Sequence, residues 1–158
     1  MRQSWTEAIS LLKWVLVVIL GLSVLRVLFG AVGIPIGVGG KITSTSVAVL
    51  LLFVIFGVVH ARRRHGIVDI LLSVATCVLV YNLAIVLFLG ASDALNLESS
   101  YYLHPSHVGP DPDIPAHMMA HLGTIPFMLG FGLVLAGLAY GLTRLGSYLS
   151  NRRPAPTT

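Results

Sequence analysis

The chain has 158 residues, of which 56% are hydrophobic and only 10% charged, and its mean hydropathy is +0.90. A soluble domain carries roughly a quarter charged residues, so this composition excludes a water-soluble globule and points to an integral membrane protein. The formal net charge of +4 does not point to nucleic acid, because the basic residues gather at the ends of apolar runs and form no basic face interleaved with aromatics.

A helix needs about 20 apolar residues to cross a bilayer core, and four such runs fill most of the sequence. The expected fold is all-α, an integral membrane bundle of four transmembrane helices. The first run follows a short polar lead and covers residues 11–30, LLKWVLVVILGLSVLRVLFG. A secretory signal peptide competes for this segment, but Arg26 interrupts what should be a small-residue cleavage region, so an uncleaved helix is preferred. Lys13 and Trp14 suit an interfacial belt at its start. Arg26, near the far end, is expected either to snorkel to the interface or to pair with Asp93 or Glu98, since a lone charge in hydrocarbon costs at least about 2.5 kcal/mol.

Residues 30–46, GAVGIPIGVGGKITSTS, read as a flexible hairpin loop. The stretch has the look of a phosphate-binding loop but departs from its pattern, with Pro35 where the first glycine is needed and Ile42 where Ser or Thr must follow the lysine. The second span covers 46–60, with the hydroxyls of Thr43 to Ser46 available to cap its start or to return a bond to the preceding turn. It ends in HARRRHG. Arg62, Arg63 and Arg64 in a short loop are the strongest topological signal, because such loops stay in the cytoplasm. His60 and His65 beside them read as interfacial polar residues near anionic headgroups.

The third span covers 67–90. Asp69 stands near its start, where it can answer the arginine triplet, and Asn82 lies deep within, where an amide is expected to bond another helix. Cys77, the only cysteine, rules out an intrachain disulfide and reads as a small buried hydrophobe. A long loop, 91–116, precedes the fourth span, 117–143. Pro126 should kink that span in its first half, and Gly123, Gly130 and Gly137 recur at intervals of seven, with Gly137 and Gly141 in GLAYG. Such a stripe permits close approach to another helix, within the bundle or in a second copy. Residues 144–158 read as a flexible cytoplasmic tail.

Charge fixes the expected orientation, with both termini cytoplasmic in a cell membrane. Arg2, Lys13, Arg62, Arg63, Arg64, Arg144, Arg152 and Arg153 then lie inside, against Arg26 and Lys41 outside. Anionic lipids are the expected partners of Arg62, Arg63 and Arg64, with a homo-oligomer or a larger membrane complex as the assembly.

Polar chemistry concentrates in YYLHPSHVGPDPDIPAHMMAHLG, residues 101–123. His117 and His121, four apart, share one helical face, and His104, His107, Asp111 and Asp113 precede them on a loop long enough to fold over. These six residues are the candidate metal ligands. Imidazole with carboxylate suits Zn(II), Cu(II) or Fe, and Met118 or Met119 could add a soft ligand for Cu(I). The histidine boxes of membrane di-iron enzymes are excluded, because a full span separates His60 and His65 from the other histidines. An HExxH protease box is missing, since Met118 follows His117, and bis-histidine haem is disfavoured because His60 and His121 belong to opposite faces. No nucleophile and base pair can be argued, so no catalytic residue is assigned. The sequence favours a small polytopic, non-enzymatic accessory subunit or small transporter component; the alternative is an extracytoplasmic transition-metal-binding membrane protein.

Overall fold

The computed structural model describes residues 2–97, 101–104, 108 and 113–151, and every regular element among them is helical. In chain order these are α1 (Arg2–Ala31), α2 (Ile36–Ile42), α3 (Thr45–Arg63), α4 (Ile67–Ala94), α5 (Ile114–Gly123) and α6 (Ile125–Asn151). Four stretches are long and apolar enough to cross a membrane: Leu12–Ala31, Gly37–Arg63, Ile67–Ala94 and Ile114–Asn151. The four apolar runs of the sequence are therefore four helical segments of membrane length.

Helix α4 is the centre, packing against α1, α3, α5 and α6. Its sequence dictates this, because Ile70, Val74, Cys77, Val78, Tyr81, Ala84 and Ile85 recur at helical spacing and are all buried. Cys77 is a buried free thiol in that row, as a small hydrophobe would be. The closest seam joins α3 to α6. A Cβ on Gly132 would lie 2.8 Å from both Phe53 Cζ and Val74 Cγ1, and one on Gly57 would collide with the Ala136 carbonyl. Glycine is needed at Gly57 because the two backbones approach too closely for a side chain, and at Gly132 because the Phe53 and Val74 side chains press against the backbone.

The connection over 30–46 is more ordered than a flexible hairpin loop. Gly33 turns the chain with φ +75°, Pro35 with φ −54° leads into α2, and Phe29 and Ile34 close over Gly39. The Thr43 hydroxyl donates to the Gly39 carbonyl at 2.7 Å, and the Ser44 hydroxyl accepts from Val47 N–H at 3.4 Å at the start of α3. Both bonds are of the kinds the hydroxyl run led one to expect. At the other end of α3, Arg64 adopts the left-handed conformation that stops the helix. Asp69 does not turn to the arginines; its carboxylate accepts from Gly66 N–H at 3.0 Å and closes the first turn of α4.

The fourth run is broken rather than merely kinked. Pro126 has no N–H to donate and would clash with the carbonyl four residues back, so α5 ends at Gly123 with Thr124 as its cap, and the proline sits in the first turn of α6. The Thr124 hydroxyl takes the His121 carbonyl at 2.7 Å. Helix α6 continues to Asn151, past Arg144 where the tail was expected to begin; residues 152–158 lie outside the described residues.

Candidate functional site

Buried polar groups collect at three places. At the first, where α1 and α2 meet the loop after α4, Arg26 is only 7% exposed. Its Nε donates to the Thr43 carbonyl at 2.8 Å, and its Cζ lies 4.2 Å from the centre of the Tyr101 ring. Its described partners are a carbonyl and a ring face; of the two acids expected as partners, Asp93 is exposed and Glu98 lies outside the described residues. A desolvated cation–π contact gives about 2 kcal/mol and a hydrogen bond from a charged group about 1.5 to 3 kcal/mol. Burying the ion costs several kcal/mol, a cost of the same order as the two contacts together.

Tyr102 wedges in beside this group, fully buried. Its ring stacks on Phe88 with centroids 5.8 Å apart and meets Tyr101 edge-on at 6.0 Å. Burial pushes the Tyr102 hydroxyl pKa up, opposed by the neighbouring Ser23 hydroxyl and the Arg26 charge, so the phenol is held neutral. Tyr101 leans over α2, where a Cβ on Gly40 would stand 2.8 Å from its ring. Arg26, Phe29, Gly30, Ile34, Gly39, Gly40 and Tyr101 line a shallow open recess.

The second place is the break between α5 and α6. Asn82, fully buried, accepts through Oδ1 at 3.2 Å a share of the one Thr124 hydroxyl proton, which also goes to the His121 carbonyl at 2.7 Å. Its amide nitrogen donates to the Val78 carbonyl at 2.9 Å and reaches Met128 Sδ at 3.6 Å. The expected helix-to-helix role is what Asn82 performs, tying α4 to the point where the fourth run is broken.

The expected metal ligands lie around α5, and the structure brings two of them together. His117 and His121 share one face with ring centroids 5.0 Å apart, at 77° to each other. Asp113 caps α5, accepting from Ala116 N–H at 2.9 Å. His104 lies in the turn after Tyr101, and His107 and Asp111 fall outside the described residues. Among the described residues no group of three or more His, Cys, Asp or Glu side chains is placed to hold an ion. Met118 is turned inward against Gly90 and the Leu89, Tyr102 and Ile114 cluster, whereas Met119 is exposed.

The third place was missed in the sequence. His60 is 3% exposed, packed inside the bundle. Its Nδ1 meets His65 Nδ1 at 3.0 Å and its Nε2 meets Ser73 Oγ at 2.9 Å. One Nδ1 must donate and the other accept, so the shared bond needs one of these two nitrogens unprotonated. The Tyr140 hydroxyl donates to the His65 carbonyl at 3.1 Å and so ties α6 to the arginine loop. A signal existed: Ser73 falls on the apolar face of α4, four residues before Cys77, and a hydroxyl on a core face needs a partner.

No protein-family model matches this chain, and neither a curated protein nor a solved structure matches it. The fold defines a small helical protein with four apolar helices compatible with a membrane bundle.

Proposed function

We propose that the chain is a non-enzymatic accessory subunit of a membrane complex, or the equivalent small component of a transporter, docked through the outward face of α6 on a transmembrane helix of another subunit. One observation carries this reading. Gly130, Gly137 and Gly141 lie on the side of α6 away from Gly132 and Ala136, and a Cβ built on any of the three meets nothing within 4 Å. A helix facing only lipid gains nothing from glycine, whereas a neighbouring helix gains close backbone contact, and the four-residue spacing of Gly137 and Gly141 suits that contact. The least covered of the four membrane-length stretches is also the one containing this face, with 11% of its apolar window buried against 50% for α4.

On this reading both termini are cytoplasmic in a cell membrane, the exposed Arg62, Arg63 and Arg64 meet anionic lipids, and α5 stands at the outer side. The test is the mass of the complex extracted in mild detergent. Gly137→Leu should release the chain from its larger assembly, while Gly21→Leu, an enlargement at an open position on α1, should not. Release of neither variant contradicts the reading; loss of a species holding only two copies of this chain replaces the partner subunit with a homo-oligomer.

A second reading is favoured by the contact between His117 and His121. Two histidines four apart on a helix can ligate one ion, and the same outer end would then bind Zn(II), Cu(II) or Fe with His104, His107, Asp111 or Asp113 completing the shell. Dialysis against Zn(II) or Cu(II) should give near-stoichiometric metal, lost in His117→Ala and in His121→Ala and on acidification through about pH 6.5, where free imidazole protonates. Equal, substoichiometric metal in wild type and both variants removes this reading.

A further inference from the structure

We infer that the recess beside Arg26 is a binding site for the phosphate of one anionic lipid headgroup. A guanidinium has five N–H donors; Nε–H is committed to Thr43, and the ring of Tyr101 covers one face of the group. Of the four N–H donors on the terminal nitrogens one reaches the Tyr102 hydroxyl, and the others supply the fork that matches a phosphate oxygen pair. Arg26 is thus a buried cation whose described partners are a carbonyl, a ring face and the neighbouring Tyr102 hydroxyl, none of them an anion.

The walls suit a headgroup. Gly30, Gly39 and Gly40 line the recess and leave backbone where side chains would fill it, and Tyr101 forms an aromatic side. Lys41, next to Gly40 and exposed, supplies a second positive charge for a lipid with net negative charge. A lipid is favoured over a dissolved anion by the surroundings. Arg26 lies five residues from the end of a membrane-length stretch, Leu12–Ala31, and Val32, Val38 and Ile42 nearby are 71%, 53% and 67% exposed, apolar surface of the kind acyl chains cover.

The test uses the full chain, delipidated in detergent and titrated with phosphatidylglycerol, phosphatidylcholine or inorganic phosphate, read by native mass spectrometry and by thermal unfolding. One phosphatidylglycerol per chain should be retained and should raise the melting temperature, with phosphatidylcholine weaker and inorganic phosphate without effect at the same concentration. Arg26→Gln should weaken phosphatidylglycerol retention at least about tenfold, and Lys41→Gln by a smaller factor. If Arg26→Gln does not fold, Arg26→Lys, which keeps the charge and loses the fork, should still lower retention. Phosphatidylglycerol held equally by wild type and the foldable Arg26 variant overturns the site. Equal retention of the two lipids overturns the reading of charge, and a full effect from inorganic phosphate overturns the lipid.

Discussion

The two faces of α6 use the same residue for opposite ends. Toward the bundle, Gly132 lets Phe53 and Val74 press against the backbone, and Ala136 lies against Gly57. Polar bonds fix that face at both ends, Thr124 to Asn82 before its first turn and Tyr140 to the His65 carbonyl further along. Away from the bundle, Gly130, Gly137 and Gly141 have no neighbour within 4 Å of a built Cβ, while Phe127, Val134 and Leu138 stand exposed beside them. Glycine spacing alone does not say which face is the internal seam; contact with bulky residues of α3 and α4 does. The difference also teaches where each substitution should be felt, in the folding of the chain or in its assembly.

The largest effect should come from filling the inner face. Gly132→Leu drives a side chain into Phe53 and Val74 and should cost upward of about 3 kcal/mol, at or beyond the usual range for overpacking. Thermal unfolding in detergent measures this, and a melting temperature unchanged from wild type would break the contrast between the faces at once. A smaller effect belongs to the polar tie at the helix break. A double-mutant cycle of Asn82→Ala with Thr124→Val should show coupling of about 0.6 to 1.7 kcal/mol, the range for side-chain hydrogen bonds between membrane helices. Strictly additive losses would mean that the break is held by Pro126 alone. Gly137→Leu should leave the stability of the isolated chain within about 0.5 kcal/mol, as surface substitutions do.

Much of the architecture was legible in the sequence because bilayer thickness dictates run length: the four runs, the deep Asn82 and the hydroxyl caps before α3 all follow from local chemistry. What escaped depends on contacts between segments far apart in the chain. The partners of Arg26 come from Thr43, 17 residues on, and from Tyr101, which only the packed loop brings over α2. Acids are the expected partners because charge seeks charge; among the described residues Arg26 meets a carbonyl and a ring face, and Glu98 lies outside them. The arginine neighbours of His60 say nothing of Ser73, 13 residues on, which bonds it inside the bundle. The glycines at intervals of seven meet no neighbour within 4 Å of a built Cβ, while the internal seam uses Gly132, which the spacing passes over. Among the proposed metal ligands, helical periodicity foresaw the juxtaposition of His117 and His121, and the capping role of Asp113 follows from its position just before an apolar helix.

The most direct test of the central claim, that the outer face of α6 is an assembly surface, is photo-crosslinking in native membranes. A photoreactive residue at position 137 should give a covalent adduct with another protein subunit. The same residue at exposed Leu79, on α4, should give lipid adducts alone. Lipid adducts alone from both positions would contradict the claim and leave the glycines of that face to the bilayer.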